Sequence, residues 1–109
     1  MKVIDWKRYA LEMCGYETIT TFGNDFDIAD AFGADAIRDT HKRAFEEWKT
    51  DYKYLTELVL ILNWKCWQHH NEGNEEYSVL YADLYEKTHE WALDHLKGEE
   101  FQYFYQVTN

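Results

Sequence analysis

Cys66, His69 and His70 have the side chains that nucleophilic or metal chemistry uses, and Cys66 and His69, three residues apart, fall on one face of a helix. Two ligands from one helix do not complete a zinc site, which takes about four donors, and Cys14 would have to arrive from elsewhere without a C-x-x-C to help. These residues read as a buried thiol beside surface histidines. His89-Glu90 has the start of a zinc-protease helix, but the next histidine is His95. A six-residue gap turns the second imidazole about 120° away, whereas the motif needs i, i+4 on one face. Asp25-x-Asp27-x-x-Asp30 has calcium-loop residues in part, yet Ala29 stands at the fifth position, no glycine follows it and no Glu closes the loop. There is no phosphate-cradling glycine loop, no Gly-x-Ser-x-Gly and no stripe of alternating basic and aromatic residues. The sequence therefore predicts no catalytic residue, no metal and no cofactor, and a protein that is not an enzyme.

What remains is charge. The 109 residues carry 21 acids and 11 bases, and the excess is uneven. Residues 72–109 hold nine acids against Lys87 and Lys97, while residues 1–71 are close to balanced. Such a surface repels nucleic acid, whose phosphates need Lys and Arg. It suits a protein partner with a basic groove, including one that normally holds nucleic acid. On a helix through residues 74–97, Glu76, Asp83, Glu86, Glu90 and Asp94 fall within about 80° of one another and form a stripe about 27 Å long. These five are the candidate partner-binding residues. Lys87 interrupts the stripe and can pair with Asp83 at i, i+4. A solvated helix face is the plain alternative. One carboxylate per roughly 7 Å is also far sparser than the one charge per about 1.7 Å of duplex DNA. A single helix cannot imitate DNA unless Glu99 and Glu100, or Asp25, Asp27 and Asp30, or a second copy add their charges. Steering onto a basic protein surface is the better-supported expectation.

The elements that position these residues are helical. Proline is absent, and the five glycines mostly follow apolar stretches with helical spacing, as at helix ends that need a left-handed residue. A first helix follows Asp5 and turns Trp6, Tyr9, Ala10 and Met13 to one face before Gly15. Residues 16–22 are ambiguous, with Ile19, Thr20 and Thr21 favouring a short extended piece. A short helix over 24–32 turns Ile28, Ala29 and Phe32 inward. Asp35 caps the next helix, where Ile37, His41, Ala44, Phe45 and Trp48 share a face. Residues 51–70, capped by Thr50 or Asp51, are apolar around most of their circumference, which places that helix centrally. Asn74 caps the longest helix, with Tyr77, Leu80, Tyr81, Leu84, Thr88, Trp91, Ala92 and His95 inward and Gly98 at its end. Residues 99–107 fold back over the bundle. The expectation is an all-α fold: a single helical domain over 1–109, a compact bundle of five or six helices.

With 46% hydrophobic and 18% aromatic residues, the chain can build a core despite its charge. Tyr54, Trp67 and Tyr85 are aromatics that can reach the surface and suit a protein interface. The start, MKVIDWKRYA, does not read as a signal peptide, and the longest apolar run, residues 58–62, is far too short to cross a membrane. Two cysteines give no disulfide framework. A cytoplasmic protein is expected.

The segments IADAFG (28–33), RAFEEWK (43–49), YKYLTELV (52–59) and LNWK (62–65), with LKGEEFQYF (96–104), cover most of the chain. They resemble a family of short helical proteins on prophages and other mobile elements of low-GC Gram-positive bacteria. Gly23 departs from that pattern, which has a larger residue there. The resemblance carries no catalytic residues. In length and acidic character the chain is also similar to type II-A anti-CRISPR proteins, which inhibit Cas9-type nucleases. The similarity implies a non-enzymatic inhibitor of Cas9 or its guide complex, without direct contact to nucleic acid or membrane. The alternative is a regulatory or interaction module of a mobile element, with a homodimer possible and no Cas9 contact.

Overall fold

A computed structural model describes the backbone of residues 19–108 and the side chains of residues 25–108. The described residues form five helices and no strand: α1 (Ile19–Phe32), α2 (Ala34–Trp48), α3 (Tyr52–Asn71), α4 (Glu75–His95) and α5 (Glu99–Thr108). The fold is all-α. The helix expected after Asp5, with Cys14 and Gly15, lies outside the described residues.

Helix ends follow the local chemistry. Asp51 precedes α3 and its carboxylate accepts from the N–H groups of Lys53 and Tyr54, while Asn74 does the same for Tyr77 at the start of α4. Each satisfies donors that a helix leaves without partners in its first turn. Between α3 and α4 the chain reverses at Gly73, whose φ of 80° lets Gly73 and Asn74 return N–H bonds to the His70 and His69 carbonyls. A single residue, Gly33 at φ 115°, separates α1 from α2. Asp35 consequently lies inside the first turn of α2, paired with Arg38 at 3.2 Å, and does not cap it as expected.

α3 packs against all four other helices, most extensively against α4. Leu55, Leu58, Val59, Leu60, Ile61 and Leu62 are all buried, the arrangement its broad apolar surface requires. On one side they join Phe26, Ala29, Ile37, Ala44, Leu80, Tyr81 and Leu84. On the other, Leu55 and Val59 meet Ala92, Leu96 and Phe104, so α5 folds back over the end of the bundle.

α1 departs most from expectation. It begins at Ile19, so the β-branched residues expected to extend are helical, and Gly23 lies within it. Its core residues are Phe26 and Ala29, whereas Ile28 and Phe32, expected inside, are 60% and 79% exposed. The reason is ionic. Asp30, next to Phe26 on the helix surface, meets a buried lysine: Lys65 Nζ lies 2.5 Å from Asp30 and 2.6 Å from Asp27. Asp30 also meets His69 Nε2 at 2.9 Å and accepts from the Tyr81 hydroxyl. Lys65, His69 and Tyr81 come from α3 and α4, so this cluster fixes the rotation of α1 on the bundle. Turning Ile28 inward would carry Asp30 away and leave the ammonium buried without its counter-ions, a cost of several kcal/mol.

Candidate functional site

Asn74 fixes where α4 begins, and Leu80, Tyr81, Leu84, Thr88 and Ala92 bury its inner face. The opposite face is thereby committed to solvent. Glu76, Asp83, Glu86, Glu90 and Asp94 are all exposed on it. Lys87 is paired with Asp83 at 3.2 Å, with both side chains largely in water. That pair contributes little to stability, and among the described residues Glu76, Glu86, Glu90 and Asp94 form no salt bridge, on a surface about 27 Å long. Val79, about 40° from Asp83 on the helical wheel, is 65% exposed within the same stripe. The charge pattern alone did not single it out.

Of the additional acids weighed for this surface, Glu99 and Glu100 are exposed in the first turn of α5. Asp27 and Asp30 share the single ammonium of Lys65, so one of their two charges is compensated inside the protein. With Asp25 exposed beside them, that side adds about two uncompensated charges, well short of the density of a nucleic-acid backbone.

The candidate chemical residues have structural partners. The Ser78 hydroxyl donates to the Cys66 carbonyl at 2.9 Å and lies 3.6 Å from the half-buried Cys66 thiol. His69, expected at the surface, is buried, with its Nε2 on Asp30 and its ring stacked on Tyr81 at 5.4 Å. Its Nδ1 makes no hydrogen bond and lies 3.9 Å from Glu72. His70 is the surface member, 2.7 Å from Glu75, with the half-exposed Trp67 edge-on to its ring. Tyr54 and Tyr85 are half-buried, packed against the core with part of each side chain still accessible. Among the described residues no group of three or more His, Cys, Asp or Glu converges as metal ligands would. Burial, reinforced by the Asp30 hydrogen bond and charge, pushes the Tyr81 phenol far above its ordinary range, so it stays a neutral donor.

Beside the stripe lies a recess of about 190 Å³ lined by His41 and Phe45 of α2 and Lys87, Thr88 and Trp91 of α4. Phe45 and Trp91 meet edge to face at 5.1 Å, and His41 stacks on Phe45 at 6.0 Å. The Thr88 hydroxyl lies 2.8 Å from the Leu84 carbonyl and 2.7 Å from His41 Nε2. Its one proton must go to the carbonyl, which can only accept, so Thr88 accepts from His41 Nε2–H and the Nδ1 lone pair is left. Burial, helped by the Lys87 charge, holds the His41 pKa down at about 4, so the imidazole is neutral near pH 7.

No protein-family model, no curated protein and no solved structure matches the chain. Among the described residues no helix is long and apolar enough to cross a membrane.

Proposed function

We propose that the protein acts by binding, as a non-enzymatic inhibitor of a Cas9-type RNA-guided nuclease that docks the acidic face of α4 on a basic nucleic-acid-binding region of its partner. The observation that carries this reading is the face itself: five exposed carboxylates in register, one cation among them, and a helix rotation held by a buried inner surface. Cas9 must keep a positively charged channel for its heteroduplex and basic residues that read the PAM, so a rigid acidic helix has somewhere to dock. Such a partner is met in the cytoplasm, the compartment proposed for the chain. The resemblance to mobile-element proteins agrees with this role.

The test is a DNA-cleavage assay with Cas9 and guide, using the native protein and a triple variant Asp83→Lys, Glu86→Lys, Glu90→Lys. The native protein should suppress cleavage and the variant should be weaker by roughly tenfold or more. Equal inhibition by both would remove the acidic face from the account. Adding the protein before and after guide loading locates the step it blocks.

A second reading, a regulatory or interaction module of a mobile element with no Cas9 contact, is favoured by a different observation. Ile28 and Phe32 stand exposed, one turn apart on α1, a pairing that suits a second copy. No inhibition across several Cas9 orthologues, with a dimer mass by light scattering, would select it.

A further inference from the structure

The acidic face accounts for attraction but not for what would hold a partner once it arrives, since exposed ion pairs contribute little. The recess between α2 and α4 supplies what the stripe lacks. Lys87 lines the recess and is paired with the stripe residue Asp83, and Trp91 follows Glu90 in sequence, so the two surfaces are continuous. At about 190 Å³ the recess is below the 300–1,000 Å³ usual for a small-molecule site. It is nevertheless larger than the cavity of about 150 Å³ that takes up benzene. It fits one side chain.

We propose that this recess is the anchor point of the acidic docking surface, receiving an aromatic side chain that the partner carries between lysines or arginines. The proposal rests on the reading of the α4 face as a docking surface.

The walls decide the class of side chain. Phe45 and Trp91 line the recess edge to face, each with a histidine ring stacked on it (His41 on Phe45, His95 on Trp91), and an added aromatic ring gains beyond simple area burial. His41 is neutral near pH 7 and its Nε2–H is already bound to Thr88, so it adds no cation to the wall. Lys87, which lines the recess, is 69% exposed and paired with Asp83, and the Lys49 ammonium lies 5.8 Å from the Phe45 ring centre, so two cations already at this wall disfavour a lysine or arginine entering. The carboxylates of Asp83, Glu90 and Asp94 favour those same residues just outside. An uncharged aromatic flanked by cations satisfies both. Buried anchors inside a charged rim are also how protein interfaces concentrate their binding energy.

The experiment is a two-dimensional NMR titration of the full chain with two blocked pentapeptides, lysine pairs flanking tyrosine in one and alanine in the other. Both carry the same charge. Both should shift the amides of Asp83, Glu90 and Asp94, and only the tyrosine peptide should shift the Trp91 indole N–H and the Thr88 amide, binding roughly tenfold tighter. Shifts confined to the stripe, equal for both peptides, would overturn the anchor and leave the acidic face standing. No shift of the stripe with either peptide would overturn both. Trp91 shifts from the tyrosine peptide without stripe shifts would separate the recess from the docking face and overturn the combined surface.

Discussion

With carboxylates at 2.5 and 2.6 Å and only 1% of its side chain exposed, the Lys65 ammonium depends on its counter-ions. Removing it leaves Asp30 beside Tyr81 with a negative charge and less water than it needs. Lys65→Ala should cost about 3 kcal/mol in a urea denaturation. Lys65→Met combined with Asp30→Asn should lose less than Lys65→Met alone, because no buried carboxylate is then left uncompensated. Equal losses would mean that the cluster does not hold α1. His41 gives a second residue-scale expectation, with a definite sign. Its folded-state pKa, about 4, lies below the unfolded value near 6.5, so protons prefer the unfolded chain. The stability it contributes is fully present above about pH 6.5 and is lost as the pH falls toward 4, by on the order of 2–3 kcal/mol. Replacing it by Gln, which retains a donor for Thr88, should flatten that part of a stability–pH curve measured by thermal unfolding.

At the scale of elements, the carboxylates of α4 oppose their own helix. Glu86, Glu90 and Asp94 follow one another at i, i+4, and like charges at that spacing destabilise a helix by about 0.2–0.5 kcal/mol per pair. Glu90→Lys turns two repulsive pairs, with Glu86 and Asp94, into attractive ones and one attractive i, i+3 pair, with Lys87, into a repulsive one. It should raise the unfolding free energy by up to about 1 kcal/mol while weakening partner inhibition. A solvated face without function would show the gain in stability and no loss of inhibition, so the two measurements together separate the readings. The helices themselves were largely legible in the sequence. Asn74 marked the start of α4, Asp51 caps α3 as one of the two candidates with Thr50, and the shared face of Ile37, His41, Ala44 and Phe45 appears on α2 as spaced. What could not be read was the rotation of α1. Apolar spacing favours Ile28 and Phe32, but burying Phe26 brings Asp30 to Lys65 and His69, which lie 35 and 39 residues further along the chain. The same blindness applies to His69, read as a surface histidine although it is buried against Asp30 of α1. The stripe was legible because it needs only one helix and its period. The recess was not, because its walls come from α2 and α4 together.

For the molecule as a whole, the net charge of −10 should make stability and association respond to salt in opposite directions. At about 0.01 M salt the screening length is near 30 Å, comparable with the roughly 27 Å stripe, so its carboxylates act together on an approaching basic surface. At about 0.1 M it shrinks to near 10 Å, and a partner feels only the nearest few charges. The same screening relieves the repulsion among acids that the folded state must hold close together. Raising salt from about 0.01 to 0.3 M should therefore lower the association rate with a basic partner by an order of magnitude or more, as read by stopped-flow mixing. Over that range the unfolding temperature of the protein alone should rise by a few degrees. Dissociation should change far less, because release from the recess is governed by apolar contact that salt does not screen. An association rate indifferent to salt would place the partner's approach on some other face. A dissociation rate that rises as steeply as association falls would instead mean that ion pairs alone hold the complex, with nothing anchored beside them.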